Sequence, residues 1–142
     1  IREPGVAEKL FPESPALLLR VCKKHFAASD AAAVRAEILA RAETAAAQLE
    51  APEGERRALL GEIAALDTRS DAAIERFQEA VALSPLNAPW RFRLAELLFS
   101  RGRYDEAHEH ARFCVRSSPK NRGYRALLEK IVQARLTAGK GR

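Results

Sequence analysis

Ser84-Pro85-Leu86-Asn87 returns 34 residues later as Ser118-Pro119-Lys120-Asn121. Laying residues 54–87 on residues 88–121 aligns Arg57 with Arg91, Leu60 with Leu94, Glu62 with Glu96 and Arg69 with Arg103. Asp71 with Asp105, Ala73 with Ala107, Glu75 with Glu109 and Val81 with Val115 follow, and the Ser, Pro and Asn of the two tetrapeptides complete the identities. A fixed period of this length belongs to stacked supersecondary units, each too small to bury its apolar face alone. Stacking produces an extended surface, which points to binding before it points to a reaction.

Each unit reads as a helical hairpin. In the first, Leu59, Leu60, Ile63, Ala64 and Leu66 recur at helical spacing, and Asp67-Thr68-Arg69-Ser70-Asp71 interrupts them. Ser70 or Asp71 is expected to cap a second helix that carries Ala73, Ile74, Phe77, Ala80 and Val81. Pro85 ends that helix, since proline disfavours the helical conformation before it and has no N–H. The second unit repeats the plan with Trp90, Leu94, Leu97 and Leu98, then Tyr104, Ala107, Ala111, Cys114 and Val115, then Pro119. Gly102 stands at the break, where a helix end favours a residue that tolerates positive φ. The 28 alanines and an aromatic share of 6% fit an all-helical chain.

These residues resemble the tetratricopeptide repeat. Residues 88–121 carry nearly its whole pattern: Trp90, Leu94-Ala95, Gly102, Tyr104, Ala107, Ala111, Cys114 and Pro119. Residues 54–87 carry Leu60-Gly61, Ala73, Phe77, Ala80 and Pro85, and depart from it at Arg56, Thr68 and Ser70. The resemblance implies an all-α, short right-handed α-solenoid of helix–turn–helix hairpins, with small residues where helices approach and a C-terminal capping helix. Tyr124, Leu127, Leu128, Ile131 and Val132 supply that cap over 122–137, and 138–142 reads as a frayed basic tail.

The first third is less regular. Ser14-Pro15 and Ser29-Asp30 signal two helix starts, and Leu17, Leu18, Val21, Cys22 and Phe26 form an apolar face. A hairpin over 13–53 exceeds the period by two helical turns, so its second helix is expected to continue to about Leu49. Residues 1–12, with Pro4, Gly5 and Pro12, read as an extended arm, and the whole as one domain. The chain has no Met and begins at Ile1, which suggests a processed product or a piece of something longer.

Charge is unevenly placed. Residues 1–50 are neutral overall, 51–87 carry net −3 and 88–142 carry net +8, giving +5 for the chain. The basic half interleaves its arginines with glutamates over both faces of its helices. It therefore reads as a solvated face, with an acidic protein partner favoured over nucleic acid, which is not expected. No run is long enough to span a membrane. Cys22 and Cys114 lack metal-ligand spacing and read as small buried hydrophobes, which mildly favours a reducing compartment. His110 and Cys114, one turn apart, supply two ligands but no third, so neither a metal nor another cofactor is expected. His25 and His108 join no catalytic motif, and no enzyme activity is expected.

The resemblance also implies where partners bind. The first helix of each repeat lines a concave groove, which carries over to Glu55, Ala58, Glu62, Ala65 and Leu66 in one repeat. It carries over to Pro89, Phe92, Glu96, Phe99 and Ser100 in the next, with Arg93 beside them, and to Ala126, Lys130 and Gln133 in the last helix. Phe92 and Phe99 lie two turns apart on one face with Glu96 between them, a seat for an apolar side chain flanked by a basic one. The alternative is that the chain's own helices cover both rings. Ala58, Glu62, Phe92 and Glu96 stand where members that clamp a C-terminal carboxylate place Lys and Asn, so that kind of partner is not expected. The function expected is a protein–protein interaction or scaffold module. Its alternatives are a regulatory or structural appendage of a larger enzyme or membrane-associated assembly, and a self-associating domain. Cytoplasm is favoured as compartment, with periplasm open.

Overall fold

The computed structural model describes residues 15–28, 32–66 and 69–140. Seven helices account for most of them: α1 (Pro15–Ala28), α2 (Ala32–Ala47), α3 (Glu53–Leu66), α4 (Ser70–Leu83), α5 (Ala88–Ser100), α6 (Tyr104–Ser117) and α7 (Arg122–Lys140). No strand occurs among the described residues. The arm expected over 1–12, the caps expected at Ser14 and Ser29-Asp30, and the interrupting Asp67-Thr68 lie outside them. Two compact units make up the chain, Ile1–Arg76 and Phe77–Arg142, and the division falls within α4.

In the first unit α1, α2 and α3 pack on one another. Leu18 and Cys22 of α1 meet Leu39, Ala42 and Ala46 of α2, Leu49 beyond it, and Leu59 and Ile63 of α3. Sealing a leucine or isoleucine in this way contributes about 1.5–3 kcal/mol. The α2 helix ends at Ala47, two residues from the expected end near Leu49.

In the second unit α5 and α6 form a close antiparallel pair, α7 packs on α6, and α7 touches α5. Ala95, Ala107, Ala111 and Cys114 have no solvent-exposed surface. Their small side chains let the backbones approach, while Leu94, Leu98 and Ile131 fill the space between. The turn after α5 is a Schellman motif. The Arg103 N–H reaches the Leu98 carbonyl at 2.9 Å and the Gly102 N–H reaches Phe99 at 3.0 Å, with Gly102 at φ 76°. The same long bond closes α3, from the Arg69 N–H to the Ala64 carbonyl at 3.2 Å.

Two local expectations are corrected. Arg69, and not Ser70 or Asp71, stands at the N-cap of α4, where its carbonyl accepts from the Ala73 N–H at 2.9 Å. The α7 helix continues through Gly139 to Lys140, into the stretch read as a frayed tail. One glycine costs a helix about 1 kcal/mol, too little to end it by itself.

Candidate interaction site

The position of α5 is set from its first turn. The Asn87 side chain accepts from the Trp90 N–H at 3.1 Å, and Asn121 does the same for Tyr124 at 3.0 Å at the start of α7. The repeated Ser-Pro-x-Asn is therefore a turn joined to an N-cap, so its asparagine recurs with its proline. Sequence reasoning stopped at the proline, although asparagine before a helical run is itself a cap signal.

Arg91 then ties the start of α5 to α6. Its Nε donates to the Pro85 carbonyl at 2.6 Å and its guanidinium lies over the Phe113 ring at 4.2 Å. Its Nη1 stands 3.3 Å from His110 Nδ1. Arginine can only donate, so this contact requires a neutral His110 that accepts at Nδ1. Burial, and then the charge of Arg91, hold the imidazole below its ordinary value. Cys114 donates its S–H to the Ala88 carbonyl at 3.2 Å, and burial pushes its thiol up to about 11. Cys22 is raised to about 11 by burial as well. His110 and Cys114 thus serve the contact between α5 and α6, and no group of three or more metal-ligating side chains occurs among the described residues.

Farther along α5, the structure puts Phe92, Arg93, Glu96 and Phe99 on partly open surface, each half-buried. The Phe92 ring leans on Tyr124 of α7, with centroids 5.1 Å apart, and Phe99 leans on Tyr104 of α6 at 5.6 Å. Arg93 reaches Glu96 at 3.6 Å. Each ring is thus partly covered by a ring of its own chain and keeps part of its surface open. Pro89 and Ser100 of α5, and Ala126, Lys130 and Gln133 of α7, are exposed.

The remaining candidates belong to the first unit. Glu55 of α3 is exposed, while Glu62, Ala65 and Leu66 are half-buried, and Leu66 packs on that unit's core. Ala58 is only 7% exposed, so it offers a partner almost no surface, contrary to expectation.

A tetratricopeptide repeat profile matches residues 64–131. Among solved structures, the chain is similar to TTC0263, a thermophilic TPR protein of Thermus thermophilus. The identity is 21% and the TM-score 0.71, over 91% of this chain and 68% of that one. It is also similar to a chain of the APC/C hetero-tetramer Cut9–Hcn1, at 21% identity and TM-score 0.63, over 87% of this chain and 24% of that one. A third likeness is to MamA, at 20% identity and TM-score 0.56, over 87% and 70% of the two chains. No curated protein sequence matches. At these identities the structural likenesses speak for the fold, an all-α helical-repeat solenoid. Profile and fold converge: residues 64–131 match the tetratricopeptide repeat, and the chain has the helical-repeat fold of tetratricopeptide-repeat proteins.

Proposed function

We propose that the chain is a protein–protein interaction module, and that the Phe92–Glu96–Phe99 face of α5 holds a segment of the partner. A tetratricopeptide fold implies a protein partner, and repeats of this kind are as a rule scaffolds rather than catalysts. One structural neighbour is a chain of a hetero-tetramer, which supports reading the surface as one for partners. The observation that carries the proposal is the pair of half-open rings two turns apart with a carboxylate between them. Two apolar surfaces and one negative charge suit an apolar side chain beside a Lys or Arg. Lys130 of α7 adds a charge of opposite sign for a polar group of the same segment. Partly buried aromatic anchors tend to dominate such interfaces.

The test is affinity capture with the wild-type chain and with a Phe92→Ala/Phe99→Ala variant, each verified as folded by circular dichroism. Partners retained by the wild type are expected to bind the variant more than about tenfold less tightly. Unchanged retention by a folded variant would remove α5 as the binding face. Among the described residues no helix is long and apolar enough to cross a membrane.

A further inference from the structure

The mixing of opposite charges along the basic half stops at one end of the second unit. Two stretches there hold no Asp or Glu: 80–95, which turns from α4 into α5, and 110–128, which turns from α6 into α7. The structure brings both turns to the same end. Cys114 of α6 meets the Ala88 carbonyl at the start of α5, and the Phe92 ring meets Tyr124 in the first turn of α7. The carboxylates that bound the two stretches stand back. Glu79 is half-buried a turn before Leu83. Glu96, Glu109 and Glu129 lie seven or eight residues along their helices from this end, about 10–12 Å away.

Cations occupy the space they leave. Arg112, Arg116, Lys120, Arg122 and Arg125 are exposed, and none of the five has an ion-pair partner among the described residues.

Beside these charges the α4–α5 turn carries Leu86, 82% exposed, and Leu83, 55% exposed. They are the two most exposed large apolar side chains among the described residues. The fold does not require them, since the matching positions of the α6–α7 turn are Lys120 and Ser117. A leucine open to this degree has no walls around it. It protrudes, so whatever covers it must receive it.

We infer that this end of the second unit docks on an anionic lipid surface. Leu83 and Leu86 enter the edge of the acyl region, and Arg116, Lys120, Arg122 and Arg125 meet lipid phosphates. A bilayer yields to a protruding side chain wherever it lands, whereas a folded partner needs a pocket shaped to it. Nucleic acid would engage the cations and leave both leucines in water. Two leucines or four cations alone bind a membrane weakly, and together they give a reversible attachment. This surface is separate from the site on α5: Phe99 lies 12 residues beyond Asn87, about 18 Å along the helix.

The test is sedimentation of the 142-residue chain with vesicles of phosphatidylcholine alone and with about 30% phosphatidylserine. Binding is expected to the anionic vesicles only and to fall as salt is raised. Leu86→Ser and Lys120→Glu/Arg122→Glu should each weaken it at least about tenfold, while Phe99→Ala leaves it unchanged. The substituted leucine and cations are exposed, so these variants should keep the wild-type circular dichroism spectrum. The inference is overturned by no binding to either vesicle, by equal binding to both, or by anionic binding that Leu86→Ser leaves alone. A duplex oligonucleotide or a glutamate-rich leucine peptide that displaces the chain from anionic vesicles by binding this end more tightly would assign it to nucleic acid or to an acidic protein instead.

Discussion

At the scale of single residues, the repeated tetrapeptide owes its last letter to hydrogen bonding. Asn87 and Asn121 each satisfy a backbone N–H that the first turn of a helix leaves without a partner. Replacing either by Ala should cost about 1 kcal/mol, while Asp or Ser should retain most of the stability. Urea denaturation checks this, and an Asn87→Ala chain as stable as wild type would deny the cap any role. Gly102 was legible, because a break between two apolar helical stripes needs a residue free to adopt positive φ. The start of α4 was not. Ser70 and Asp71 are better cap formers than arginine, but the long backbone bond from Arg69 to Ala64 fixes the turn and leaves Arg69 at the cap. Arg103 stands likewise before α6 without a side-chain cap, and its guanidinium instead holds Glu106 through two bonds of 2.8 Å. Asp71 and Asp105 in the first turns still favour their helices through the helix dipole.

At the scale of elements, the α5–α6 pair depends on one imidazole remaining neutral. His110 faces Arg91 from α5, with Glu106 and Glu109 on its own helix, and its folded-state value lies below the ordinary 6.5. A group shifted down in this way favours folding in its neutral form. The contribution is complete above the ordinary value and drains away as pH falls through 6.5 toward the lowered one. The melting temperature should therefore drop between about pH 7.5 and about pH 5, and His110→Gln should flatten much of the drop. A thermal scan of the two proteins across that range decides it; equal slopes would mean that His110 titrates as it does in an unfolded chain. The helices themselves were legible from apolar spacing, and the small residues where they meet from the repeat pattern. The Arg91 link was not, because it joins a carbonyl, an imidazole and an aromatic ring from three separate places in the chain. Even so, Arg91 was among the repeated identities.

At the scale of the whole molecule, the period located the exposed side of α5 and the part of α7 beside it. It did not show how far Phe92 and Phe99 are covered, because Tyr124 and Tyr104 come from different helices. Nor did it show Ala58 to be buried. The two cysteines have a practical consequence. Each compact unit holds one, Cys22 in the first and Cys114 in the second, shut away from solvent with its thiol raised to about 11. A folded chain should therefore ignore alkylating reagents, and each sulfur should react only when its own surroundings open. Leu18→Ala removes a side chain from the cluster around Cys22 and should destabilise it by about 2–5 kcal/mol. Mass spectrometry after timed alkylation should then find Cys22 modified more than about tenfold faster, with Cys114 changing much less. Equal acceleration at both sulfurs would mean that the chain opens as one body. The protein thus carries its own pair of stopwatches, one for each half, ready to be read without adding a label.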